Sequence, residues 1–167
     1  MAEDEKMKVS EKSVLEKLQE TNRSAEVWWD SSPLVYANWA KSVVEKAPAE
    51  KKARWGEQLE RLFDPNNSQE TFFRGVTTNP PLSLAAIKDA PKFWADYVKK
   101  LIQENPDKGV EGIFWMTYKK IVERGAEFYL PVWERSQHAH GYISGQVDPR
   151  DCYNADRMLP QALELAA

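Results

Sequence analysis

Thr77, Thr78 and Asn79 stand together just before Pro80, and Gln146 opens the run Gln146-Val147-Asp148-Pro149-Arg150. Two hydroxyls and an amide are neutral donors and acceptors. They can pair with the hydroxyls of a polyhydroxylated substrate without the cost of burying a charge. The same Thr-Asn-Pro order is also ordinary turn chemistry. Gln146 is a second amide, able to hold a water by hydrogen bonds but not to act as a general acid or base. Asp30 follows Val27-Trp28-Trp29. A carboxylate beside indoles can have a raised pKa and move protons, or it can turn and cap the chain through Ser31-Ser32-Pro33. Asp148 and Arg150 read as a local ion pair around Pro149.

Other reactive types offer less. His138 and His140 have the His-x-His spacing of a chelating strand, but no third ligand cluster accompanies them, and a helix-end or loop role fits better. The pairs Lys99-Lys100 and Lys119-Lys120 read as solvated helix faces rather than desolvated nucleophiles. Cys152 has no catalytic histidine context, and no Walker-type or dinucleotide glycine pattern occurs. No metal or cofactor is expected.

The elements that must position these residues alternate. Residues 10–22 read as a helix with Ser10 or Ser13 as N-cap, followed by a β-prone segment over 25–30. Helices are expected over 34–46 and 48–63, and a turn over 64–68. A second strand over 72–76 ends at Thr77-Thr78-Asn79, and Pro80-Pro81 lead into a helix over 82–103. A long helix over roughly 110–137 should be kinked or divided by Pro131. A third strand over 142–147 precedes the Asp148-Pro149-Arg150 turn and a last helix near 154–165. Strands alternating with helices imply right-handed βαβ units and a parallel sheet whose C-terminal strand ends carry the chemistry. Three strands leave two unpaired edges, whereas a (β/α)8 barrel typically takes ~250 residues. The fold class expected is therefore α/β: about the first three βα units of an incomplete TIM barrel, rich in helix.

With 167 residues, the chain makes one domain over 1–167, with a flexible tail over 1–9. The net charge of −3 gives no electrostatic reason to expect nucleic acid or an anionic membrane. No apolar run approaches the ~20 residues that span a bilayer, and the acidic N-terminus lacks the apolar stretch of a secretory signal. A single cysteine fits a reducing compartment, so a cytoplasmic location is expected. Seven tryptophans in otherwise amphipathic segments are read as core or interface payload rather than as a carbohydrate-stacking surface.

Gly75-Val76-Thr77-Thr78-Asn79-Pro80 resembles the strand-2 signature of the transaldolase family, and Ile143 to Arg150 resembles its strand-3 signature. Val27-Trp28-Trp29-Asp30 is similar to the strand-1 segment that ends in the family's catalytic aspartate. The resemblance implies a Schiff-base barrel enzyme that passes a dihydroxyacetone unit between sugar phosphates in the pentose phosphate pathway. Asp30 would then shuttle protons at the substrate hydroxyl whose deprotonation breaks the C–C bond, and Thr78 and Asn79 would bind substrate hydroxyls. Gln146 would stand where most members carry the glutamate that activates water. Glutamine there is similar to the fructose-6-phosphate aldolase relatives, and Pro81 replaces the usual Ser or Thr. The family's lysine stands on strand 4, and none of the residues after Arg150 is a lysine. The expectation is an N-terminal portion that is inactive alone, with a sugar phosphate bound only if a second chain or a homo-oligomer completes the site. The alternative is a non-catalytic interaction or binding protein derived from the barrel.

Overall fold

The computed structural model describes residues 11–64, 66–67 and 71–166. The expected tail over 1–9, with Ser10, lies outside the described residues. Three short strands, β1 (Trp28–Asp30), β2 (Gly75–Thr77) and β3 (Tyr142–Ser144), pair in parallel in the order β1-β2-β3. The register sets Trp28, Gly75 and Tyr142 side by side, then Trp29, Val76 and Ile143, then Asp30, Thr77 and Ser144. Because side chains alternate between faces, the first and third rows share one face and the middle row takes the other. A helix-rich α/β fold with a small parallel sheet results.

The helices are α1 (Val14–Thr21), α2 (Tyr36–Lys46), α3 (Lys52–Leu62), α4 (Pro80–Asp89), α5 (Pro91–Glu104), α6 (Val110–Arg135) and α7 (Ala155–Ala166). Helices α1, α2, α3 and α6 pack on the middle-row face. Val76 is fully buried there among Tyr36, Leu59, Phe63, Phe73, Tyr129 and Val132, with Trp29 and Ile143 beside them. A second cluster, Val35, Ala86, Trp94 and Ile121, ties α4 and α5 to α6. Gly125 of α6 admits Ile143, since a β-carbon there would lie 2.8 Å from its Cδ1. Each such apolar side chain contributes about 1.5–3 kcal/mol on burial. The opposite face, with the Asp30–Thr77–Ser144 row, carries no helix-packed cluster among the described residues.

At the N-terminal side, Ser13 caps α1 in a capping box with Glu16. Arg61 of α3 holds the Glu16 carboxylate at 2.8 Å through Nε, pinning α1 to α3. Burial would raise the Glu16 pKa, but hydrogen bonds from Arg61 and Ser13 outweigh it and bring the group from 4.5 down to about 2.

Several boundaries differ from the sequence reading. The helix expected over 82–103 is two helices: Ala90 ends α4 and caps α5, with Pro91 as the first residue of α5. Pro91 cannot donate its missing N–H and its ring obstructs the preceding turn, so the helix restarts in a new direction. Pro131, expected to kink or divide its helix, does not divide it and lies within a single helix, α6. Its flanking residues Tyr129 and Val132 are buried at 0% and 1% exposure, so tertiary packing holds the turn in which one hydrogen bond is lost. All three strands are shorter than expected, although single backbone bonds continue beyond the paired rows, as from Arg74 N–H to Val27 O at 3.0 Å.

Candidate active site

The three strands end together, so their C-terminal residues meet. Thr77 Oγ1 donates to Asp30 Oδ1 at 2.8 Å, joining β1 to β2 at the exposed row. One residue on, Thr78 N–H donates to Ser144 O at 3.0 Å and prolongs the β2–β3 ladder. Thr78 itself is buried, and its Oγ1 is without a hydrogen-bond partner. Asn79 then opens α4: its Oδ1 accepts from Leu82 N–H at 2.8 Å, with Pro80 at the first helical position. The cap uses the amide oxygen and leaves Nδ2 unbonded among the described residues.

Gln146 lies two residues past β3. Its backbone N–H donates to the Tyr118 hydroxyl at 2.7 Å, and Tyr118 is almost fully buried in α6 against Trp115. Burial pushes the Tyr118 phenol upward, so it stays protonated. The Gln146 side chain is exposed and faces a cleft of about 400 Å³ that it lines together with Asn79, Pro80, Phe114, Trp115 and Arg150. Asn79 and Gln146 therefore share one cleft at neighbouring strand ends. Asp30 is not among the residues lining it.

Asp148 and Arg150 form the pair expected around Pro149. Arg150 Nε donates to both Asp148 oxygens at 3.0 Å, and its Nη1 reaches Glu111 of α6 at 2.8 Å. The hydrogen bonds from Arg150 hold the Asp148 carboxyl below its usual range, and those same carboxylates raise the guanidinium. With two carboxylates on it, Arg150 brings little free positive charge to the cleft. Gln161 of α7 locks the same turn, accepting from Asp148 N–H at 2.7 Å and donating to Asp151 Oδ2 at 2.9 Å.

His140 Nδ1 sits 3.5 Å from Glu26 Oε1, while His138 stacks on Trp133, so the two histidines serve different neighbours. Among the described residues no group of three His, Cys, Asp or Glu side chains could hold a metal ion. Among the described residues no helix is long and apolar enough to cross a membrane. Thr77 stands out in the sequence beside Thr78 and Asn79, but only the register reveals it as the partner of Asp30. Tyr118 left no signal at all, because its value lies in a bond to a backbone 28 residues away.

The family model for transaldolase/fructose-6-phosphate aldolase matches residues 58–167, which include β2, β3, Asn79 and Gln146. The chain belongs to this family. Asp30 precedes the first matched residue. The transaldolase of Mycobacterium ulcerans (strain Agy99) is 31% identical over 91 residues, covering 54% of this chain and 24% of the relative. That of Kocuria rhizophila is 29% identical over 108 residues, covering 65% of this chain and 27% of its own length. The transaldolase of Mycobacterium tuberculosis (strain H37Rv) is 29% identical over 91 residues, again 54% of this chain and 24% of the relative. The chain thus matches about a quarter of the length of these curated relatives. No solved structure matches it.

Proposed function

We propose that these residues are the first three βα units of a transaldolase-type barrel and supply the hydroxyl-binding half of its active site. The reaction is transfer of a dihydroxyacetone unit between sugar phosphates through a lysine Schiff base, a step of the pentose phosphate pathway, in the cytoplasm. The observation that carries this reading is the arrangement at three adjacent strand ends. Asp30 is oriented by Thr77, while Asn79 and Gln146 border one cleft. Asp30, with one oxygen held by Thr77 and the other unbonded among the described residues, takes the proton from the substrate hydroxyl as the C–C bond breaks. Asn79 Nδ2 donates to a substrate hydroxyl while its oxygen keeps α4 capped, and Thr78, its side chain buried, holds the strand end in place through its N–H on Ser144 O. Gln146 positions the water that would release the product, and its amide cannot deprotonate that water.

The sequence holds no lysine after Lys120. The nucleophile therefore comes from further strands, on the same polypeptide or on a second chain paired to the sheet, and these 167 residues alone turn over no sugar. A non-catalytic binding protein derived from the barrel is the second reading. It is favoured by Leu159 and Leu163 of α7, which are about 60% exposed on one helical face.

Incubation with fructose 6-phosphate, borohydride reduction and intact-mass measurement tests the proposal. The expected result is no adduct on the 19.3 kDa chain and an adduct once a chain carrying the later strands is added. An adduct on the isolated chain would place the nucleophile among its own lysines and overturn this division of the site.

A further inference from the structure

Trp28, like Trp55, takes no part among the described residues in the ring packing that holds the other tryptophans. Trp29 packs on Tyr36, Trp39 and Phe73, Trp94 sits in the second core cluster, Trp115 meets Tyr118, and Trp133 stacks on His138. Trp28 belongs to neither cluster and touches no other ring among the described residues. Its place in the register puts it on the same sheet face as Asp30, the face with no helix-packed cluster among the described residues.

The indole does not project straight off that face. It lies across β2, where a β-carbon on Gly75 would fall 2.5 Å from Trp28 Cζ3 and 2.6 Å from Cε3. Only a residue without a β-carbon lets the ring lie down there. Its Nε1 donates to Glu26 Oε2 at 2.9 Å, which fixes the ring's direction, and the other Glu26 oxygen faces His140. Two residues further along the same strands lie Asp30 and Thr77, about 7 Å toward the C-terminal ends. A flat apolar surface thus lies one layer beneath a polar row.

We propose that Trp28 is the floor of the sugar site and a specificity-determining residue: the C–H face of the substrate's carbon chain rests on its indole while the hydroxyls meet Asp30, Thr77 and Asn79. This inference rests on the sugar-site reading given above. A sugar presents hydroxyls at its rim and aliphatic hydrogens on its faces, and an electron-rich ring face excludes water from the latter. The floor also limits depth. An open-chain sugar phosphate must lie across the strand ends rather than descend along the strands, because the indole closes that direction. Branched or bulky substrates would meet the ring before their hydroxyls reached the row.

The test uses the full chain, alone and mixed with a chain carrying the later strands, with millimolar fructose 6-phosphate. Hydroxyl-radical oxidation is read tryptophan by tryptophan by mass spectrometry, and affinity is measured by calorimetry. Expected are a loss of oxidation at Trp28 on adding sugar, no change at the exposed Trp39, and affinity weakened about three- to tenfold in Trp28→Leu. Trp28→Phe, which keeps an aromatic face, recovers most of that loss, and far-ultraviolet circular dichroism checks that each variant is folded. If sugar binds, and Asn79→Ala abolishes binding, while Trp28 stays unprotected or Trp28→Leu binds as well as the parent, the floor is refuted and the sugar site stands. If no sugar binds at all, the sugar-site reading fails and the floor fails with it.

Discussion

Replacing Gly75 with alanine asks the sharpest question of this sheet. The new β-carbon would meet the Trp28 ring at 2.5 Å and the Tyr142 carbonyl oxygen at 2.7 Å, against an ordinary contact of about 3.5–4.0 Å. The ring must therefore retreat by about 1 Å, and the carbonyl cannot retreat without disturbing the β2–β3 pairing. Overpacking of this kind costs about 1–3 kcal/mol. Removing a glycine from a strand returns about 0.5–1 kcal/mol of backbone entropy; because one of the two contacts is backbone, the upper part of the overpacking range applies and a net loss of about 1–2.5 kcal/mol remains. For a chain of this size that lowers Tm by about 2–10 °C, with a matching fall in the urea midpoint. Gly56→Ala is the internal control: nothing lies within 4 Å of its added carbon, and its helical position should gain about 0.8–1 kcal/mol. Adding Trp28→Ala to Gly75→Ala should relieve the ring contact but not the carbonyl contact, so rescue is partial. A Gly75→Ala midpoint equal to or above the parent's would refute the placement of the indole on the glycine.

Acid should loosen the α1–α3 contact. The Glu16 pKa is depressed in the fold, so its contribution is fully present above about pH 4.5 and is lost as pH falls toward 2; Arg61 is partly exposed, so about 1–2 kcal/mol is expected. Urea midpoints across that range should fall less steeply for Glu16→Gln than for the parent, and parallel curves would contradict the pairing. Asn79 should separate its two roles by substitution. Asn79→Ala should lose about 1 kcal/mol of stability together with sugar binding, whereas Asn79→Asp keeps the cap and the stability but lacks the amide donor. Undiminished calorimetric binding of fructose 6-phosphate by Asn79→Asp would remove the amide from the site.

Much was legible from residue pattern alone. Apolar spacing marked the helices, and the turn residues around Asn105 and Asp148 set their limits. The polar ends of three β-prone segments singled out Asp30, Asn79 and Gln146, because such information is local: a periodicity, a cap, a proline. Even local rules failed where packing competed with them. Pro91 breaks a helix at an exposed position, while the half-buried Pro131 is carried through by Tyr129 and Val132. What only the tertiary structure decided is which side chains meet. Asp30 and Thr77 are 47 residues apart, and a slip of one residue in strand register would have brought Thr78 to the carboxylate instead. The same register lays Trp28 on Gly75 and leaves Thr78 buried. Residue types thus determined which chemistry the chain could hold. The pairing of its strands, a long-range choice fixed by burying Trp29, Val76 and Ile143 against the helices, determined which of those residues face it.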